Sequence, residues 1–212
     1  MGNDISSLLS RYGRFYINGT LATIVLSLVG TFGGLFLGIF LAFGKSLNTK
    51  ESPWYHKIWR CPIKWICNIY SIVIRGTPMM VQAMLFKYGC QMMGINWNEV
   101  LKGVDTWNGW FIAGLIVITL NTTAYMGEVL QAGLNGIDKG QIEGAKSLGM
   151  NEMQTLFHVT LPQAIRNSIP TIGNEWVVNI KDSSVLNVIA VSELYWQASS
   201  AASTVSYTHL TL

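Results

Sequence analysis

Charge is what this chain has least of. Only 12% of its 212 residues are Asp, Glu, Lys or Arg, and none occurs from Phe15 through Gly44, a run of 30 residues. A solvated surface helix keeps a polar face, so that stretch is not one. Cysteine is also scarce: Cys61, Cys67 and Cys90 are odd in number and lack metal spacing. Neither a disulfide framework nor a thiolate metal centre follows from them. The few histidines, His56, His158 and His209, form no cluster with Asp or Glu that points to a metal. No glycine-rich phosphate loop occurs, so no nucleotide and no cofactor is expected on this chain. A nucleophile–base constellation is missing as well, which argues against an enzyme. The net charge of +3 comes without a basic–aromatic patch, so nucleic acid is not an expected partner.

Apolar length is what the chain does have. Half of the residues are hydrophobic, and eight Trp and eight Tyr suit interfacial belts in lipid. Ile17–Phe43 exceeds the roughly 20 apolar residues that cross a bilayer. A second uncharged run, bracketed by Asp105 and Glu128, forms the core of another span. Two further spans are weaker by hydropathy. Trp65–Gln91 carries Arg75 and Lys87, and Asn167–Tyr195 carries Glu175, Lys181, Asp182 and Glu193, with its helix starting near Pro170. Taken alone, these two would also suit buried helices of a soluble protein. The expectation is an all-α polytopic membrane helix bundle in one domain without internal repeats. It has a short amphipathic segment at 1–16 and a transmembrane domain at 17–204 with four visible spans. Gly30, Gly34, Gly38 and Ala42 put small side chains on one face of the first span, for close packing within the subunit or in a dimer.

Basic residues set the expected orientation. Lys45, Lys50, Lys57, Arg60 and Lys64 follow the first span, and Lys139, Lys146 and Arg166 follow the third. Only Arg11, Arg14, Lys87 and Lys102 fall on the other side. The bias predicts an outside N-terminus, with residues 138–162 in the cytoplasm of a multi-pass cell-membrane protein.

That stretch, Asp138 to Pro162, is a polar island between apolar segments. Asp138 is placed to cap a short helix, with Gln141 completing a reciprocal box. Gly149 falls where the helix must stop, because glycine enters the left-handed conformation cheaply. Asn151 and Gln154 repeat the capping pattern, and Glu152 adds a negative charge to the next first turn. Pro162 disfavours helix at Leu161. Two short capped helices joined by a glycine are therefore expected.

The spacing resembles the EAA loop of ABC-importer permeases: Glu143-Gly144-Ala145, then Gly149, Val159 and Leu161-Pro162, with every interval kept. Gly144 in place of alanine and Val159 in place of isoleucine are departures, and Gly144 loosens the helix. Other motifs resemble the branch that moves polar amino acids. They are Arg75-Gly76-Thr77-Pro78 with Val81-Gln82, Tyr125 to Glu128, Gly140-Gln141, and Lys181-Asp182-Ser183-Ser184-Val185. Matches extend over about residues 15–197.

The resemblance implies a pore-forming subunit coupled to separate ABC ATPase subunits, with Glu143, Gly144, Ala145, Gly149, Leu161 and Pro162 in the docking loop. It further implies an extracytoplasmic solute-binding protein, a second permease subunit in a homo- or heterodimer, and an amino-acid substrate. Arg75, Gly76, Thr77, Pro78, Gln82, Lys181 and Asp182 are the candidate pathway or gating residues. Gly76 and Pro78 interrupt helical bonding, which lipid tolerates only where protein or water satisfies the freed groups. Arg75 needs a carbonyl cluster, a carboxylate of this chain or a substrate carboxylate as partner. Lys181 and Asp182 pair with each other, with Glu175 or with solvent, and Glu128 reads as an interfacial anchor. Gln82, Asn121 and Asn174 either line a pathway or join helices. The alternative function is an ion- or proton-coupled carrier of small polar solutes, whose usual repeated halves are not visible here.

Residues 205–212, Val-Ser-Tyr-Thr-His-Leu-Thr-Leu, read as a translated sequencing adapter that cuts the natural frame near Thr204, and the fifth span that the resemblance implies is expected to be missing through that truncation. Sequencing the gene's 3′ end in source DNA should show a different frame after Thr204; a native stop codon after Leu212 would defeat this expectation.

Overall fold

The computed structural model describes residues 2–47, 54–95 and 109–210. Lys50, Lys102 and Asp105, and the side chains of Arg11, His56, Lys57 and His209, lie outside the described residues. All regular structure among the described residues is helical. In chain order the helices are α1 (Gly2–Ser46), α2 (Trp54–Gly76), α3 (Met79–Met92), α4 (Gly109–Asn135), α5 (Lys139–Ser147), α6 (Glu152–Thr155), α7 (Leu161–Asp182) and α8 (Leu194–Leu210). A π turn, Leu156–Thr160, joins α6 to α7, and a 3-10 segment, Ser183–Ile189, follows α7. Residues 2–16, set apart in the sequence, continue into the first span within α1. The adapter-like residues, as far as Leu210, lie within α8.

Two helices are long and apolar enough to cross a membrane, Tyr12–Ser46 and Gly109–Asn135. Arg60–Gly76 and Met79–Met92 become a third only when taken together across their break. The break lies at the expected Gly76–Pro78. Thr77 Oγ1 donates to the Val73 carbonyl at 2.9 Å, which occupies an acceptor freed at the helix end. Pro78 is extended (φ −61°, ψ 137°), and its carbonyl accepts the Val81 and Gln82 amides at 3.0 and 3.2 Å, starting α3.

The segment Asn167–Tyr195, expected as one fourth span, is not one helix. α7 begins six residues earlier, runs through Pro170 without a stop and ends at Asp182. The 3-10 segment then closes at Ala190, which is left-handed at φ 68°. Hydropathy alone could not show this, because apolar residues continue across the end of α7.

The chain forms two compact units. The first holds Met1–Gly30, Pro78–Thr119 and Val177–Leu212. Its core joins Leu26, Ala83, Phe111, Ile118, Leu186 and Ile189. Two glycines permit close contacts there: a Cβ on Gly19 would lie 2.9 Å from the Leu194 Cα, and one on Gly114 would lie 3.0 Å from Val191. Glu193, expected only as a charge within a span, is 1% exposed and caps α8. Its two carboxylate oxygens accept the Tyr195 and Trp196 amides, each at 2.8 Å. Thr23 Oγ1 accepts the Leu194 amide at 3.2 Å, which fastens the same turn to α1. A carboxylate at a helix start is thus satisfied by the orphan N–H groups.

The second unit holds Thr31–Thr77 and Leu120–Trp176. Here the small stripe of α1 packs against α4: a Cβ on Gly34 would meet Thr122 at 2.7 Å, and one on Gly38 would meet Met126 at 2.8 Å. Gly127 of α4 returns the arrangement, with Leu41 2.7 Å from its would-be Cβ. The small residues therefore serve packing within the subunit. Contacts advance in the same direction along both helices, so α1 and α4 are parallel. α2 joins them through Cys67, which sits against Gly44, and through the Tyr70 hydroxyl, which donates to the Leu120 carbonyl at 2.6 Å. On α7, Ser168 packs against Gly133 of α4.

Polarity is distributed as lipid requires. Thr31, Asn121, Thr122 and Thr123 are buried, while Phe32, Phe36, Phe40 and Phe43 of α1 are each more than 60% exposed. In water so broad an apolar surface would be a liability; against acyl chains it is solvated.

Gly34→Val should lower the thermal midpoint of the detergent-solubilised protein by several degrees, because the added carbons collide with Thr122. Gly13→Ala, whose Cβ would meet nothing within 4 Å, should leave the midpoint within a degree or so.

Candidate functional site

The polar island folds as a stiff connector between α4 and α7. Asp138 (φ −61°, ψ 128°) caps α5, its Oδ1 accepting the Gly140 amide at 2.7 Å. The reciprocal box expected with Gln141 does not form. Asp138 spends its oxygen on the second helical amide, and the Gln141 amide bonds the Asp138 carbonyl at 3.1 Å instead. At the other end of α5 the Gly149 amide donates to the Lys146 carbonyl at 3.0 Å, and the Met150 amide to the Ala145 carbonyl at 3.2 Å. This paired closure needs a left-handed residue, and Gly149 supplies it at φ 81°.

The second cap forms as expected. Asn151 Oδ1 accepts the Gln154 amide at 2.8 Å, and Gln154 Oε1 accepts the Asn151 amide at 2.9 Å. The stop expected before Pro162 does not occur. Leu161 is helical (φ −64°, ψ −44°), and its amide donates to the Leu156 carbonyl, five residues back. Widening the turn by one residue relieves the clash a proline imposes on the preceding turn, so the chain stays helical from α6 into α7.

The connector shows apolar side chains on a polar frame. A groove of about 480 Å³ is lined by Gly140, Gln141, Gly144, Ala145, Leu148, Met150 and Val159. Leu148 is 86% exposed, and Met153 and Phe157 are more than half exposed. Of the motif residues, Ala145 is buried while Glu143, Gly144, Leu161 and Pro162 are exposed.

A second assembly, in the same unit, collects charges that are distant in sequence. Lys45 of α1, only 4% exposed, forms an ion pair with Glu128 Oε1 of α4. Arg75, at the end of α2 and 45% exposed, places Nη1 3.4 Å from the same oxygen. Its guanidinium carbon also lies 5.7 Å from the centre of the Tyr125 ring, within cation–π range. Among the three partners expected for Arg75, a carboxylate of this chain is the one found. Glu128, expected as an interfacial anchor, is the hub for two cations. It also lines a cleft of about 360 Å³ between α4 and α7, with Val129, Ala132, Gly133, Asn167, Ser168 and Thr171.

The sequence marked Lys45 only for topology and Asn167 only as a span boundary, and it did not single out Thr171. Lys45 and Glu128 are 83 positions apart, so no local pattern announces the pair. Gly76 and Thr77 close the helix that carries Arg75. Pro78, Gln82, Lys181 and Asp182 belong to the other compact unit. There Pro78 and Gln82 form the start of α3, and Asp182 ends α7 with the exposed Lys181 beside it. No group of three or more His, Cys, Asp or Glu suited to a metal occurs among the described residues.

Residues 60–208 match the family described as binding-protein-dependent transport system inner membrane components. The chain is 32% identical to the arginine transport system permease protein ArtQ of Bacillus subtilis (strain 168), over 98% of this chain and 85% of that protein. It is 30% identical to the probable glutamine ABC transporter permease protein GlnM of the same organism, over 92% and 80%. A solved amino acid ABC transporter with histidines superposes with a TM-score of 0.77 at 33% identity, covering 94% of this chain and 82% of that one. The MetNI methionine ABC transporter, at 16% identity and a TM-score of 0.58, shares the fold.

The two glycines of the connector should respond in opposite ways. Gly149→Val forces a β-branched residue into the left-handed region at a cost of about 1–2 kcal/mol, so amides 140–150 should exchange hydrogen faster. Gly144→Ala adds a Cβ that meets nothing within 4 Å and gains up to about 1 kcal/mol of helix propensity, so the same amides should exchange more slowly.

Proposed function

The chain belongs to the binding-protein-dependent transport system inner membrane components, and from that premise we propose that it is the permease subunit of an ATP-driven amino-acid importer. Its work is passage and coupling rather than bond-making. ATP is handled by separate ATPase subunits beneath it, solute is delivered by an extracytoplasmic binding protein, and a second permease completes the pore. The N-terminus lies outside, which puts the connector on the ATPase side. Parallel α1 and α4 support that topology, since two spans running in the same direction need a return crossing between them. The broken pair α2 and α3 supplies helices for it. Glutamine and arginine, named for the relatives, are the first substrates to test.

The observation that carries the reading is the doubly capped connector with its open groove. Glu143, Gly144, Ala145, Gly149, Leu161 and Pro162 hold or edge this docking surface, which is spliced between the two helices that wall the Glu128 cleft. When ATP draws the ATPases together, the connector moves as a rigid body and carries α4 and α7 with it, turning the pathway outward; hydrolysis resets it. This is coupling between separate sites through a two-state element. Arg75, Gly76, Thr77, Pro78, Gln82, Lys181 and Asp182 keep the pathway or gating role that the resemblance gives them, each within its own unit.

Co-purification with the candidate ATPase, before and after removal of residues 138–161, tests the reading. The intact protein should bind the ATPase, and the complex should take up labelled amino acid into proteoliposomes only with ATP and binding protein. The shortened protein should do neither. Uptake driven by an ion gradient without any ATPase would replace this reading with a secondary carrier.

A further inference from the structure

We propose that a pocket between α1 and α8 binds the headgroup of a zwitterionic phospholipid, with the ammonium among its aromatic rings and the phosphate on Arg14. Its residues all belong to the first compact unit, and none of them is shared with the connector or the charge cluster.

Helices α1 and α8 run antiparallel where they meet. Thr23 Oγ1 accepts the Leu194 amide, Gly19 lies against Leu194 and Gln197, and Tyr12 and Phe15 share a pocket with Ser200 and Ala201. Backbone contact at Gly19 draws the helices together, and large rings hold them apart one to two turns further on. The result is a pocket of about 340 Å³ lined by Tyr12, Phe15, Trp196, Gln197, Ser200 and Ala201. All six precede Thr204, so the adapter-like residues take no part. The Tyr12 and Phe15 ring centres are 6.2 Å apart, with the planes at 47°. Trp196 is in ring contact with neither of them among the described residues, so the space between that pair and the indole stays open.

Tyr12 opens the first apolar span, which places the pocket at the depth of lipid headgroups. Aromatic residues are ordinary at that depth, but belt residues stand singly against lipid, whereas these three wall one cavity. Ring faces are electron-rich and attract alkylated cations, more strongly where water is excluded. The lining contains no carboxylate, and Arg14, exposed on the same turn of α1 as Tyr12 and Phe15, repels a free cation. A phospholipid headgroup meets both conditions, because it brings its own anion. Its ammonium enters the rings while its phosphate, on the far side of a two-carbon link, takes the Arg14 guanidinium. A quaternary ammonium needs the rings alone; the Tyr12 hydroxyl and the Gln197 amide oxygen accept from a primary one. The acyl chains then run down α1 along the exposed Ile17 and Leu21.

The test is lipid retention, read by native mass spectrometry on the purified protein in detergent. Phosphatidylcholine, phosphatidylethanolamine and phosphatidylglycerol with the same acyl chains are supplied in equal amounts. The two ammonium lipids should be retained over phosphatidylglycerol by about threefold or more, within the range of a partly desolvated cation–π contact. Trp196→Leu, which keeps apolar bulk and removes the ring face, should abolish that preference without lowering phosphatidylglycerol retention. Arg14→Gln should lower retention of all three lipids, since each carries a phosphate. Equal retention of the three by the intact protein would overturn the proposal, and so would a preference that survives Trp196→Leu. Choline at the same concentration as the lipids should displace none of them. Displacement by choline, with choline itself retained, would assign the pocket to a soluble quaternary ammonium and overturn the lipid assignment. Should Trp196→Leu fail to fold, Phe15→Leu decides: a lost preference supports the site, and an unchanged one refutes it.

Discussion

Helices in lipid gain nothing from hiding apolar surface, because the surrounding chains are as apolar as they are. What draws α1 to α4 is contact at backbone distance, and that contact exists only because Gly34, Gly38 and Gly127 leave room for Thr122, Met126 and Leu41. The rest of the second unit depends on this approach. It delivers Lys45, two turns beyond Gly38, to Glu128, and that ion pair leaves Arg75 as the exposed cation. A side chain in the glycine seam would separate Lys45 from Glu128 before it touched any residue of the cleft.

The connector and the cleft are joined by covalent structure. α4 carries Glu128 and Gly133 into the connector, and α7 carries Ser168 and Thr171 out of it. Ser168 pressed against Gly133 ties these two arms. A force applied at Leu148 or Phe157 therefore acts on both walls of the cleft at once. The caps matter because a frayed connector would absorb that force by local unfolding rather than transmit it. The π turn keeps continuity on the α7 side, where a stop at Leu161 would have introduced a joint.

The sequence made the connector legible because its structure is local. Asp138, Gly149 and the Asn151–Gln154 box each act within a few residues, and capping chemistry reads directly from residue type. Gln141 and Leu161 went otherwise for reasons nearly as local: Asp138 satisfied an earlier amide, and one wider turn absorbed Pro162. The charge cluster was not legible, since Lys45, Arg75 and Glu128 meet only after three helices pack. Glu193 carried a readable signal, an acidic residue two and three positions before the amides of Tyr195 and Trp196. Surrounded by apolar neighbours, it read as a charge in a span rather than as the start of a new helix. Apolar runs gave the membrane class but not the interruptions, which depend on backbone hydrogen bonding that hydropathy does not register.

Parallel packing of α1 and α4 has an electrostatic side. Peptide dipoles in neighbouring parallel helices point the same way, so the negative pole of α1 lies against the flank of α4 with no opposite pole beside it. Lys45 stands in the last turn of α1, where such a field holds a cation most firmly. The field that fixes Lys45 also raises the energy of any anion brought to that end, Glu128 included. Lys45 is thus a counterion of the end of α1 as much as of Glu128.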